Sequence, residues 1–248
     1  MKKMETNSET KGSLAVKILL AMSMLLLVLG ALAAQEEPII VPEPQERGGF
    51  FFEATTQYLS FDDRDLNGRM VLGNADQVFF IPRVKPSLGF GFGVGRRFRS
   101  GLWSISYLVS GHDVSFQGQD GTAVARLVQV NSRTFLLRTY PLRPFIHFGL
   151  NFPWMQVRNN VADHGGKLHD ATYLGVGANG GIGLLAPVSS RMFFSASVIY
   201  RFIAFLYARG PVKGIDVTDL FDDVTGTRHR WFLRTPVVAL ELSLGYEL

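Results

Sequence analysis

The sequence contains no cysteine. That excludes a disulfide framework, a thiolate metal site and a lipid-modified cysteine. An excess of one charge is also missing. The formal net charge is +4, of which residues 1–33 hold +2 (Lys2, Lys3, Lys11 and Lys17 against Glu5 and Glu9), leaving +2 for the remainder. A balance this small does not support a nucleic-acid partner. Beyond residue 34 no apolar run approaches the roughly 20 residues of a transmembrane helix. No zinc-ligand spacing, phosphate loop or nucleotide fingerprint is present, so no cofactor is expected.

What is present begins with a targeting pattern. The four lysines form a basic segment, Ile18 to Gly30 is apolar, and Ala31-Leu32-Ala33 supplies the small residues of a cleavage site. Residues 1–33 are therefore expected to be a cleaved signal peptide and the chain an exported one. Residues 34–49, with Pro38, Pro42 and Pro44, read as an extended periplasmic linker.

From residue 50 onward, apolar side chains recur at every second position, the period of a β-strand. The segments are approximately 50–62, 84–98, 101–112, 124–140, 144–156, 171–185, 191–206 and 231–248. Most exceed the roughly 5–6 residues of a mean soluble strand, and a tilted strand needs about 9–11 to cross a bilayer. Leu88, Phe90, Phe92 and Val94 alternate with Gly89, Gly91, Gly93 and Gly95. Trp103, Ile105, Tyr107 and Val109 alternate with serines, Leu108 being an exception. Leu240, Leu242, Leu244, Tyr246 and Leu248 oppose Glu241, Ser243, Gly245 and Glu247.

Alternation alone does not say which face is inside. A soluble exported barrel would turn the apolar face inward. Three features favour a membrane barrel with that face outward. The polar face is rich in Gly, Ser and Asn, which would leave a bare outer surface. Connections alternate between short (99–101, 141–143, 186–190) and long (63–83, 113–123, 157–170, 207–230), as in membrane barrels. Apolar residues occupy every second position back from Leu248. The expectation is all-β: residues 50–248 as an eight-stranded antiparallel up-and-down transmembrane barrel, its four long loops outside. Arginines flank the short turns (Arg96, Arg97, Arg99, Arg138, Arg143, Arg191), where they can meet lipid phosphates. Phe50, Phe51, Trp103, Tyr140, Trp154, Tyr207 and Trp231 are placed for interfacial girdles.

The signal peptide, the strand Ser87–Gly95, the stretch PFIHFGLNFPW from Pro144 to Trp154, the Gly-rich strand Leu174–Leu184 and the last strand together resemble the small outer-membrane β-barrel superfamily, including the OmpA-type transmembrane barrel and its single-domain relatives. The resemblance covers residues 49–248. It implies an outer-membrane location, lipid partners including lipopolysaccharide, and recognition of the C-terminal strand by the barrel-assembly machinery. Such barrels typically end in an aromatic residue; here Leu248 is last and Tyr246 stands two residues earlier.

Glu53, Arg133, Arg201 and Glu241 fall on the inward, polar face. A lumen only wide enough for side chains forces such charges to pair. They form either a structural plug or a gate for ions and small solutes. Glu241 is expected to contact Arg201 or Arg133, Arg201 being preferred because its strand neighbours the last one. Asp63, Asp65 and Asn67 match the start of a calcium loop, but position twelve is Asn74 rather than glutamate. Asp216, Asp219, Asp222 and Asp223 form a second acidic cluster. A lipid hydrolase needs serine, histidine and an acid or amide in reach. His147 has Gly149 where a serine could serve, and His112 beside Ser110 is the other pairing on a strand. No enzyme is expected. The leading expectation is a structural or surface-interaction protein with a plugged polar lumen; the alternative is a narrow porin-like channel.

Overall fold

The period-two segments form eight long antiparallel strands that close on themselves. The computed structural model describes residues 49–61, 71–73, 77–116, 118–137, 142–211, 214–216, 221–222 and 233–248. In chain order its strands are β1 (Phe50–Phe61), β2 (Val71–Gly73), β3 (Gln77–Phe80), β4 (Arg83–Val84), β5 (Ser87–Phe98), β6 (Gly101–Phe116), β7 (Gln119–Phe135), β8 (Arg143–Asp163), β9 (Leu168–Pro187), β10 (Met192–Arg209), β11 (Gly214–Asp216), β12 (Phe221–Asp222) and β13 (Leu233–Glu247). The barrel ring runs β1-β5-β6-β7-β8-β9-β10-β13. It shuts where β1 meets β13, in register from Phe51↔Glu247 to Phe61↔Val237. Closure leaves no long strand with an unpaired edge, which hydrocarbon would penalise by several kcal/mol per group.

The faces follow the parity of the sequence. Phe90, Phe92, Ile105, Leu150, Val176, Tyr200 and Leu244 point outward and are exposed, Phe90 at 67%. Every ring strand contributes to this apolar belt. Soluble surfaces rarely carry apolar patches beyond about 300–600 Å². A belt around a whole barrel, with charges and amides buried inside, is the membrane-spanning arrangement. Phe51 departs from its expected place in an interfacial girdle: it is 1% exposed and points into the lumen. It has the parity of Glu53, so strand geometry overrides its aromatic character.

The long connections differ from expectation. Residues 113–116 and 119–123 are strand: Asp113 pairs with Thr122 and Phe116 with Gln119. The turn between them uses Gly118 at φ 80°. β8 and β9 likewise pair out to Ala162 and Leu168. Between 63 and 83, β3 pairs with β8 and β4 with β6. These strands lie beyond the belt, where the outward face turns polar, as at exposed Asp113, Asp120, Arg158 and Asn159, while inward Val114, Phe116, Val157 and Val161 are buried and apolar. The belt's alternation therefore reverses its sense, apolar inside and polar outside, while backbone pairing persists. The result is a β-collar, completed by β2 on β3, β11 on β10 and β12 on β2.

The lumen is layered. At the short-turn end Phe51, Leu102, Phe135, Phe145, Leu185 and Phe193 form an apolar floor. Three of its rings lie over glycines directly opposite on the neighbouring strand: Phe51 on Gly95, Phe145 on Gly183, Phe193 on Gly245. A Cβ at any of these glycines would collide with the ring it carries. The middle layer is polar. Towards the collar a second apolar core holds Leu59, Phe79, Ile81, Leu108, Leu127, Tyr173, Ile203 and Phe205. Leu108, which breaks the serine alternation of β6, belongs to this layer.

Candidate functional site

The polar layer is built from inward positions of strands on opposite walls. Arg133 on β7 spans the lumen to the closing seam. Its Nη1 donates to Glu53 Oε2 at 2.8 Å, and its Nη2 reaches Glu53 Oε1 at 3.3 Å and Glu241 Oε1 at 3.2 Å. Glu53 and Glu241 lie on β1 and β13, the first and last ring strands. One guanidinium thus ties both seam strands to the opposite wall, and all three residues are buried. Gln57 Nε2 also donates across the seam to Glu241. Thr55 and Ser243 hydroxyls meet there at 3.1 Å.

Arg201 does not take the place expected for it. It pairs across the strands with Val237, whereas Glu241 sits opposite Ser197. That offset of four residues is about 13 Å along a strand. The Arg201 Nη2 donates instead to Gln57 Oε1 at 2.8 Å, with Gln129 Oε1 at 3.5 Å. The Gln57 amide therefore relays between Arg201 and Glu241.

Amides that parity places on the polar face complete the layer. Asn179 Nδ2 donates to Asn151 Oδ1 at 2.9 Å and to Asn131 Oδ1 at 3.2 Å. His147 Nε2 lies 3.2 Å from that same Asn131 oxygen. Period-two parity alone puts these side chains, and His147, on the inward face. Their partners lie on other strands and could not be read locally.

His112 Nε2 lies 2.7 Å from the Ser110 hydroxyl, and its Nδ1 lies 3.0 Å from the Lys85 carbonyl oxygen. Both side chains are buried inside the barrel. A lipid hydrolase needs its nucleophile at the membrane face, and this pair faces the wrong way. Asp63, Asp65 and Asn67 lie outside the described residues, as do Asp219 and Asp223, while Asp216 and Asp222 stand on the short collar strands β11 and β12.

The chain matches no protein-family model and no curated protein. Solved structures similar to it include Neisserial surface protein A, at 10% identity and a TM-score of 0.46 over 81% of this chain and 97% of that one. Another is the outer membrane protein OprG from Pseudomonas aeruginosa, at 10% identity and a TM-score of 0.43 over 81% of this chain and 96% of that one. A third, the outer membrane protease OmpT from Escherichia coli, has 8% identity and a TM-score of 0.31 over 82% and 98%.

Proposed function

We propose that the protein is an outer-membrane barrel with a closed lumen, acting through the surface it projects beyond the bilayer. The observation that carries this is the stacking of three packed layers in one narrow barrel: the aromatic floor, the Arg133–Glu53–Glu241 brace and the apolar core beneath the collar. Opening a path would require parting a buried ion pair, which costs about 3–5 kcal/mol when one partner is removed. The collar supports the second half of the reading. β8 has 21 residues, about twice a bilayer crossing. Its apolar outward positions end at Trp154, and the exposed Arg158 and Asn159 follow. The strands beyond the belt hold a broad polar face suited to lipopolysaccharide headgroups or partner proteins.

Planar-bilayer recording of the purified barrel tests the closed lumen. The expected trace is silent at neutral pH. Steady single-channel current would overturn the reading in favour of a narrow channel.

A further inference from the structure

The two ends of the barrel differ in charge. At the collar, Asp113, Asp120, Asp163 and Asp170 are interleaved with Lys85 and Arg158. At the short turns the described cations are Arg96, Arg97, Arg99, Arg143 and Arg191, and Glu247 is the one described acidic side chain. Arg97 takes Glu247. The outer rim therefore keeps an excess of positive charge. These cations do not stand off in bulk water. Exposed Phe98, Leu142 and Val188 carry the apolar belt up to the turns themselves. The rim arginines thus sit at the belt's edge, where lipid headgroups begin.

Two of these arginines converge on the closing seam. Arg96 on β5 leans over the exposed rings of Phe50 on β1, at 5.8 Å, and of Phe98, at 5.5 Å. Arg191, just before β10, leans the other way, its Nη1 donating to the Tyr246 hydroxyl on β13 at 3.4 Å. β1 and β13 are neighbours, so both guanidiniums are drawn onto adjacent strands. The bed beneath them is aromatic and faces lipid. Stacking occupies the face of a guanidinium and leaves its in-plane N–H groups to donate. Among the described residues no carboxylate accepts from either arginine.

We propose that this sector of the rim binds an anionic phospholipid with two phosphates, one on Arg96 and one on Arg191. Its acyl chains lie along the exposed face of the seam, at Phe52 and Leu244. A guanidinium fork matches phosphate oxygens, and two converging forks match two phosphates on one molecule. A zwitterionic lipid brings an ammonium that the same arginines repel. A lipid with one phosphate leaves one guanidinium without an anion. With the collar outside the cell, this end lies in the phospholipid leaflet. The site goes beyond the closed-lumen reading and needs only a membrane-spanning barrel.

Native mass spectrometry of the purified protein, released from neutral maltoside micelles, tests it. The micelles are doped with equal amounts of chain-matched phosphatidylethanolamine, phosphatidylglycerol and cardiolipin. Cardiolipin is expected to be retained roughly tenfold or more over phosphatidylethanolamine, with phosphatidylglycerol between them, since two linked contacts hold better than one. R96Q combined with R191Q is expected to remove that preference, with the heat-modifiable gel shift as the check of folding. R158Q combined with R209Q removes the same charge from exposed collar positions and is expected to leave the preference unchanged. Equal retention of all three lipids by the native protein, equal retention of cardiolipin and phosphatidylglycerol, an unchanged preference in the rim variant, or an equal loss in the collar variant would overturn the proposal. The three lipids on the native protein decide the matter if the rim variant does not fold. Conductance is a separate readout, so a silent bilayer with no lipid preference refutes this site and leaves the closed lumen standing.

Discussion

At the scale of single residues, the key group is Arg133. It neutralises two carboxylates at once, and both lie on the seam where the barrel closes. Arg133→Met leaves Glu53 and Glu241 buried without a cation. The expected loss is about 3–5 kcal/mol, seen as a lower urea midpoint for unfolding from micelles. Adding Glu53→Gln and Glu241→Gln removes the stranded charges and should recover most of that loss. If the single variant is as stable as the native protein, the brace is not holding the seam. Arg201→Gln is expected to cost less, because its described partners are neutral amides. The identity of these four charges was legible from parity. Which carboxylate meets which guanidinium was not, because that depends on the stagger between strands far apart in the chain.

At the scale of elements, the glycines under the floor rings set how closely β-strands and aromatics fit. Gly245 lies opposite Phe193, whose ring occupies the space a side chain would need. Gly245→Val is therefore expected to overpack the floor by about 1–3 kcal/mol, with the heat-modifiable gel shift lost at a lower temperature. Gly245→Val combined with Phe193→Ala should restore the shift; a single variant that behaves as native would refute the ring-on-glycine packing. The collar turn between β8 and β9 carries a pH signature. Asp163 Oδ2 lies 2.8 Å from His169 Nε2, and its Oδ1 accepts from the Gly165 and Lys167 amides at 2.9 and 3.0 Å. The histidine contact first, then the backbone donors, hold this carboxyl below its ordinary value. A depressed carboxyl stabilises the turn above the ordinary carboxylate pKa of about 3.9 and loses that contribution as pH falls through the lower folded value. Amide exchange of Gly165 and Lys167, corrected for intrinsic rate, should show protection at about pH 6 that is gone near pH 2. Asp163→Asn should lack it at both. Protection that persists in the variant would sink this account.

At the scale of the whole molecule, the absence of cysteine makes orientation easy to measure. Gly165 sits in the exposed collar turn, and Ser189 in the exposed turn at the opposite end. With the collar outside the cell, a membrane-impermeant maleimide on intact cells is expected to label Gly165→Cys and to spare Ser189→Cys until the cells are broken. Labelling of Ser189→Cys alone would invert the barrel. The collar also corrects the picture of long loose loops. At the collar ends of β6 to β9 the belt's parity gives way to the reverse sense, apolar side chains such as Val114, Phe116, Val157 and Val161 inside and polar ones facing water, so the pattern of a bilayer strand ends while the ladder continues through the backbone, which carries no sequence signal.

The sequence by itself determined the eight ring strands, their two faces across the belt and their closure into a barrel. Period-two patterning assigns each side chain to lipid or lumen, and a bilayer leaves a strand no alternative to closing the ring. It also placed Glu53, Arg133, Arg201 and Glu241 inside. Tertiary structure alone decided the rest. Only the stagger of β7 against β1 and β13 gives Glu241 to Arg133 and leaves Arg201 to Gln57. Only the ring brings Phe79, Leu108 and Ile203, far apart in the chain, into one apolar layer above it. The physical reason is that parity is local, being set by each strand's own pleat, whereas height and partner are set by register summed around eight strands.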